Sequence, residues 1–225
     1  MNFGPEYPKI NSLNKRDKDK GMIIIPGAWA CEEFGYLADC MWNWTEKIDG
    51  TNIRLAWDGH SITVGGRTDR AVLPGQLWLY LKSKLQSNEA NVLWTEQFGE
   101  NREVVVYGEG VGPKIQGNPL HLESPDFIVF DIKIGKFWLK YKDMKGIANN
   151  LGFSVVPQLP CVTLREAMTV VQEDYFRSHY PGVSPEGMVG HPAVELCDRM
   201  GGRITAKVKV VDFVNYRKYM EKHES

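Results

Sequence analysis

The sequence predicts an α+β fold, antiparallel sheets with flanking helices. Two observations predict it: strand-like segments outnumber helical ones, and most of them are joined by hairpin-length turns. At 225 residues the chain makes one large domain, or one domain with a small appendage, taking about 150 residues per domain. Hydrophobic residues make up 43%, enough to bury a sizeable core and too many for a disordered chain.

Residues 1–40 read as an N-terminal segment packed on the same domain, with a charge run at Lys15–Lys20 that reads as a solvated face or loose arm. Asn52–Trp57 and Ser61–Val64 flank Asp58-Gly59, a dipeptide suited to a type I′ turn, and so form a hairpin. Leu73, Leu77, Leu81 and Leu85 recur every fourth residue and predict an amphipathic helix. Glu103–Tyr107 is a short apolar strand ending at Gly108. Phe127–Ile134 and Phe137–Tyr141 meet across Gly135-Lys136 as a second hairpin, and Asp143–Leu151 predicts a helix ending at Gly152. Thr163-Leu-Arg-Glu166 has the capping-box pattern, so Leu164–Tyr175 is helical. Gly187–Gly190 and Ala193–Cys197 read as short strands, and Arg203–Val211 alternates as a strand before a polar tail.

Composition excludes several classes. The 27 Lys and Arg nearly balance the 28 Asp and Glu, so the chain is no uniformly basic nucleic-acid sponge, although a basic groove offset by acidic faces stays open. No apolar run approaches the ~18 residues of a membrane span. The charged N-terminus lacks a signal-peptide core, so a cytoplasmic protein is expected. Cys31, Cys40, Cys161 and Cys197 are scattered, so reduced, buried or half-buried thiols are expected and a zinc site is not. Gly108-Glu-Gly-Val-Gly112 is followed by Pro113 and no helical period, which argues against a phosphate-binding loop of the dinucleotide type. Glu109 is the informative residue there: glycine on both sides suggests a close ligand approach to the backbone.

The lysines are the second anomaly. Lys207 and Lys209 sit two apart in an apolar strand and point to one face, with Ala206, Val208 and Val210 on the other. Lys47 lies in Thr45-Glu-Lys-Ile-Asp-Gly-Thr-Asn52, a strand-to-hairpin junction. A lysine amine becomes a nucleophile where neighbouring cations and desolvation favour its neutral form. Three lysines with several carboxylates could thus make an anionic-phosphate site with one reactive amine. A solvated face is the ordinary alternative for the pair at 207 and 209.

Lys47-Ile-Asp-Gly-Thr-Asn52 resembles motif I (K-x-D-G-x-N) of the covalent nucleotidyltransferases, the polynucleotide ligases and mRNA capping enzymes. Tyr107-Gly-Glu-Gly110 is similar to motif III, Phe127-Ile-Val-Phe-Asp-Ile132 to motif IIIa, Pro185-Glu-Gly-Met-Val189 to motif IV and Ala206-Lys-Val-Lys209 to motif V. The order matches the family's. Thr45–Asn52, Gly66-Arg-Thr68 and the Phe-Asp-Ile of motif IIIa further resemble the small phage-type RNA ligases that seal nicks, as do Tyr7-Pro-Lys-Ile and Lys15-Arg-Asp17.

The resemblance implies a nucleotidyltransferase domain, the ATP-grasp-like adenylation domain of ligases. It also implies an ATP-dependent RNA ligase acting on RNA with 5′-phosphate and 3′-OH ends. Lys47 would attack the α-phosphorus of ATP and form lysyl-AMP, with Lys207 and Lys209 neutralising phosphate charge and helping keep Lys47 deprotonated. Glu109 would accept a ribose hydroxyl, and Phe130 would stack on adenine. Glu46 would help read the adenine edge through its backbone or side chain, and Asn52 and Arg67 would contact ribose or phosphate. Glu186 and Asp131 would hold the lysines and a hydrated Mg2+, an ion that favours waters and phosphate oxygens over a protein cage. Lys15 and Arg16 would meet RNA.

On this reading residues 41–211 are the nucleotidyltransferase core, and 212–225 are a short C-terminal tail in place of an OB or helical C-terminal domain. A DNA ligase or GTP-dependent capping enzyme, and a non-catalytic nucleotide- or RNA-binding module, are the alternatives. A hydrolase using paired carboxylates such as Glu96 and Glu103 has no spacing to support it.

Overall fold

The computed structural model describes residues 3–100 and 103–223, so the first two residues of the N-terminal segment and the last two of the C-terminal tail lie outside the described residues. The chain makes two compact units: unit 1 is Met1–Tyr7 with Asp49–Val156, and unit 2 is Pro8–Ile48 with Pro157–Ser225.

In chain order, β1 (Asn11–Ser12), β2 (Asn14–Asp17) and β3 (Ile23–Trp29) precede a short helix, α1 (Glu32–Tyr36). Next come β4 (Met41–Lys47), β5 (Thr51–Trp57) and β6 (Ile62–Gly66), then α2 (Gly75–Leu85) and α3 (Asn88–Phe98). β7 (Val104–Val111), β8 (Asp126–Ile134) and β9 (Phe137–Trp138) lead into α4 (Tyr141–Asn150). β10 (Ser154–Val155), β11 (Gln158–Thr163), α5 (Leu164–Gln172), β12 (Gly187–Pro192), β13 (Ala206–Lys209) and α6 (Val210–His223) complete the order. The fold is α+β as the sequence predicts. The ladders are antiparallel except for two short parallel pairs, β1 with β13 and β10 with β8.

Unit 1 is a sheet of order β10-β8-β7-β5-β6, with β9 on β8. Period-two alternation turns Ile53, Leu55 and Trp57 of β5 and Val104 and Val106 of β7 to one face, where they pack with Leu77, Leu81 and Leu85 of α2. Each such side chain contributes about 1.5–3 kcal/mol by leaving water. β7 runs on through Gly108 to Val111, past the predicted end. A Cβ on Gly108 would strike the Phe127 ring, and one on Gly110 would strike Leu77. These glycines therefore make room for the core, where the sequence suggested room for a ligand. α3 has no sequence counterpart. Its start is set by Ser87, whose hydroxyl accepts from Ala90 N at 3.0 Å.

Unit 2 is a sheet of order β1-β13-β12-β4-β11 with the separate hairpin β2-β3. Trp42 and Trp44 of β4, Met188, Ala206 and Val208 bury against Leu164, Ala167 and Val171 of α5 and Phe213 of α6. The Thr163–Glu166 capping box is present and starts α5, which stops at Gln172, short of Tyr175. The strand predicted over Arg203–Val211 contracts to β13, because Val210 N donates to Glu186 O (3.0 Å) and the chain turns into α6. The expected polar tail is thus largely a helix. Its Phe213 is buried, and its Asp212 carboxylate takes both hydrogen bonds of Arg16 Nη2, at 2.8 and 2.7 Å. Ala193–Cys197 is no strand. One bridge, Cys197 to Arg203, closes a turn in which Asp198 accepts from Met200 N and Gly202 N. All four cysteines are free thiols, and Cys40, Cys161 and Cys197 are exposed where burial was expected. Among the described residues no helix is long and apolar enough to cross a membrane.

Candidate active site

In unit 2, three adjacent strands bring charged residues together. Gly187 of β12 lies opposite Lys47, the last residue of β4, and on its other side opposite Lys209, the last residue of β13. Alternation sends Ala206 and Val208 into the core and leaves Lys207 and Lys209 on the other face, as the sequence predicts. Val210 leaves this pattern because it already belongs to α6. Glu186, just before β12, bridges the two strand-end lysines: Oε2 is 2.7 Å from Lys47 Nζ, and Oε1 is 2.7 Å from Lys209 Nζ. The side chains of Lys47, Lys209 and Glu186 are 22%, 29% and 15% exposed, so the pairs are only partly screened by water. One carboxylate against two ammoniums leaves the cluster net positive, which suits a phosphate.

Gly187 is what allows the three strands to meet here. Its φ is +151°, and a Cβ on it would collide with the Val208 carbonyl oxygen. No other residue fits without parting β12 from β13.

Glu46 points to the buried side of β4 and is 3% exposed. Its Oε2 accepts from His179 N at 2.9 Å with the His179 ring 3.4 Å away, and its Oε1 accepts from Ser178 Oγ. Its own N–H donates to Pro157 O at 2.9 Å. The side chain expected to read adenine is thus engaged in anchoring the segment that leads to Glu186. Ser178 and His179 escaped the sequence reading because they sit in a loop without a motif.

Unit 1 carries the remaining residues. Asn52 and Glu109 are cross-strand partners of β5 and β7. Asn52 Oδ1 is buried with no hydrogen-bond partner among the described residues, an acceptor held ready for a donor. Between β7 and β8 the register slips: Tyr107 faces Asp131, but Gly108 faces Val129. Phe130 is therefore the extra residue of a bulge. It packs on the sheet face of Ala56, Val105 and Tyr107, with the Tyr7 ring edge-on at 5.0 Å. Tyr7 OH donates to Asp131 Oδ2 at 2.9 Å. Burial pushes the Tyr107 hydroxyl well above the usual tyrosine range, and it donates to Pro5 O at 2.9 Å.

Arg67 is exposed. The turn carrying it is pinned by Arg54, fully buried, which donates to Gly66 O (2.8 Å), Gly4 O (2.7 Å) and Asp69 Oδ1 (2.8 Å). An arginine inside the apolar strand Asn52–Trp57 was the signal available for this role.

Of the two residues expected at RNA, Lys15 is exposed, while Arg16 is committed to Asp212 and to Met22 O. For a divalent ion, no group of three or more His, Cys, Asp or Glu gathers among the described residues, and each Glu186 oxygen already faces an ammonium. The residues present do not make a metal cage.

A family model described as RNA ligase matches residues 41–209, which span every strand of both main sheets except β1. No curated protein matches the chain by sequence. Among solved structures the chain resembles the Naegleria gruberi RNA ligase in several states. An apo variant aligns with a TM-score of 0.60 at 20% identity, covering 97% of this chain and 59% of that one. The form with pyrophosphate aligns at 0.61 and 19% identity over 97% and 60%. A variant with ATP and manganese aligns at 0.60 and 20% identity over 97% and 60%. The chain thus spans about three fifths of the length of these ligases, and the likeness is one of fold, the nucleotidyltransferase fold. With the family model covering most of its length, the chain belongs to the RNA ligase family.

Proposed function

We propose that this chain is an ATP-dependent RNA ligase that first adenylylates itself on Lys47. One observation carries the reading: Glu186 bridges Lys47 and Lys209 at 2.7 Å each across three paired strands. Lysines placed only for solubility need no shared carboxylate, whereas an amine that attacks a phosphate needs a proton acceptor and a second cation beside it.

In the proposed first step Lys47 Nζ attacks the α-phosphorus of ATP. The N–P bond forms, the bond to the pyrophosphate oxygen breaks, and pyrophosphate leaves with the electron pair. Glu186 Oε2, 2.7 Å from Nζ, is the acceptor for the amine's proton, and Lys209 and Lys207 balance charge on the phosphate. In the second step an RNA 5′-phosphate oxygen displaces Lys47 from AMP, and in the third a 3′-hydroxyl displaces AMP and joins the ends. For unit 1 we propose binding roles. The orphaned Asn52 Oδ1 takes a ribose hydroxyl, Glu109 beside it in register does the same, Phe130 stacks on adenine, and Arg67 meets phosphate. Asp131, tied to Tyr7, positions the Phe130 bulge.

The Naegleria gruberi ligase was solved with ATP and manganese and with pyrophosphate, which favours the same substrate and leaving group here. The divalent ion, magnesium or manganese, is proposed to arrive on the triphosphate as part of the substrate, because such hard ions favour waters and phosphate oxygens. Among the described residues no group of three His, Cys, Asp or Glu gathers.

The test is incubation with α-labelled ATP and magnesium, then denaturing electrophoresis, with labelled GTP as a parallel arm. Label at the mass of the chain, lost in Lys47→Ala and in Lys47→Arg with circular dichroism unchanged, is the expected result, because arginine cannot deprotonate to attack. A Lys47→Ala protein that still takes label overturns the assignment, and preference for GTP moves the chain to capping chemistry.

A further inference from the structure

Backbone strain is concentrated in one place. Six non-glycine residues have positive φ among those described, and four of them lie within eight positions of the segment joining β7 to β8: Lys114 (+65°), Gln116 (+46°), Asn118 (+56°) and His121 (+54°). Left-handed backbone is costly for a residue with a Cβ and nearly free for glycine. Asparagine and histidine tolerate it better than most. Asn118 has a local task, since its side chain clasps Leu122, donating to Leu122 O at 2.9 Å and accepting from Leu122 N at 3.0 Å. Lys114 and Gln116 have none: both are exposed, and neither side chain makes a hydrogen bond or ion pair among the described residues.

The segment itself is firmly set. Ile115, between the two strained residues, is 3% exposed in the core of unit 1. Ile115 N donates to Gly112 O (3.1 Å), Asn118 N to Ile115 O (2.7 Å) and His121 N to Asn118 O (3.0 Å). A chain held this rigidly, with costly residues at positions where glycine would be more stable, keeps them for what their side chains do outside the fold. The side chains offered are an ammonium at 114, an amide that can donate and accept at 116, and an imidazole at 121, all exposed. That set suits a chain of phosphates alternating with sugar hydroxyls.

We infer that the 112–122 segment is a preformed RNA-backbone contact, in which Lys114 takes a phosphate and Gln116 and His121 take neighbouring phosphate or ribose oxygens. The inference rests on the ligase reading for the identity of the polyanion as RNA. It needs no chemistry at Lys47.

The test exploits the strain. Lys114→Gly and Gln116→Gly relieve left-handed backbone, so each variant should melt about 2–4 °C higher, the shift expected for roughly 1 kcal/mol in a chain of this size. In the same proteins, binding of a 5′-phosphorylated, nicked RNA duplex, read by fluorescence anisotropy without ATP, should weaken about threefold to tenfold. For Lys114→Gly the slope of log affinity against log salt should also fall by about one phosphate contact. Lys114→Asn, which keeps a residue tolerant of this backbone and removes the charge, should lose affinity likewise. Variants that melt higher yet bind the duplex with unchanged affinity and salt slope overturn the inference. Self-adenylylation is measured in parallel and should not move. If the parent protein takes no label while the glycine variants still lose RNA affinity, the ligase reading fails and the RNA contact stands.

Discussion

Replacing Glu186 by glutamine changes one charge and almost no volume. The carboxylate makes two charge-assisted contacts at 2.7 Å, to Lys47 and to Lys209, with side chains between 15% and 29% exposed. An exposed ion pair is worth about 0–1 kcal/mol, and breaking a buried one costs about 3–5 kcal/mol. Partial burial sets each of these pairs at about 1–2 kcal/mol. Glutamine retains one neutral acceptor and leaves two ammoniums facing each other, so the total cost is about 1–3 kcal/mol. At about 2–4 °C per kcal/mol for a chain of this length, Glu186→Gln should melt roughly 2–12 °C lower. The loss of labelling with α-labelled ATP should be far larger, about a hundredfold or more, because the proposed proton acceptor and the carboxylate that holds Lys47 are removed together. A double-mutant cycle with Lys209→Met isolates the bridge. Removing Lys209 should cost less stability in the Glu186→Gln background than in the parent, with a coupling of about 0.5–3 kcal/mol. Additive melting effects together with near-normal labelling of Glu186→Gln would refute the reasoning.

Gly187→Ala should be more damaging than its size suggests, because the added Cβ meets the Val208 carbonyl oxygen at a φ of +151°. We expect a loss of several kcal/mol in urea titrations and no labelling by ATP, and a stable, active Gly187→Ala protein would show that β12 and β13 can part without harm. Phe130→Ala should weaken use of ATP while Phe130→Tyr keeps it, as measured by the ATP concentration for half-maximal labelling. Equal behaviour of the two variants would make Phe130 an ordinary packing residue. His191 supplies a pH dependence: burial first, and then the Arg203 guanidinium, hold its imidazole below the usual range. The unfolded chain therefore binds its proton more readily, so this contribution is fully present above about pH 6.5 and is lost as the pH falls through and below that value. His191→Gln should flatten the fall in melting temperature between about pH 6.5 and 5, and an unchanged profile would assign the slope to other groups.

Much of the cluster at Lys47 was legible in the sequence because strands have period two. Lys207 and Lys209 declare a shared face by spacing alone, and the structure adds that Gly187 stands between Lys209 and Lys47. Bonds made by isolated loop residues carry no such signal. Ser178 and His179 on Glu46 belong to that class, and the Arg16–Asp212 pair, which joins β2 to α6 across 196 residues, has no local pattern to announce it either. The α6 helix was hidden by its polarity, since few of its residues are buried and its apolar face shows no strong period. Gly108 and Gly110 misled for a different reason. A glycine in a strand marks a close approach, and sequence cannot say whether the visitor is a ligand or the protein's own Phe127 and Leu77.

The course of the backbone through the two units has a consequence for how this protein can be taken apart. The chain leaves unit 2 after Ile48, one residue beyond Lys47, and re-enters it at Pro157. Glu46 N lies 2.9 Å from Pro157 O, so the points of departure and return are neighbours in the same sheet. Unit 1, apart from its first few residues, is in topological terms an insertion whose two ends a short turn could replace. Lys47, Glu186, Lys207 and Lys209 stay together on the host side, and Asn52, Arg67, Glu109 and Phe130 travel with the insert. The proposed nucleophile Lys47 and the residues proposed to recognise the nucleotide thus lie on separable stretches of one gene. If those roles hold, an exchange of residues 49–156 between relatives should carry base and sugar preference while leaving Lys47, Lys207 and Lys209 in place.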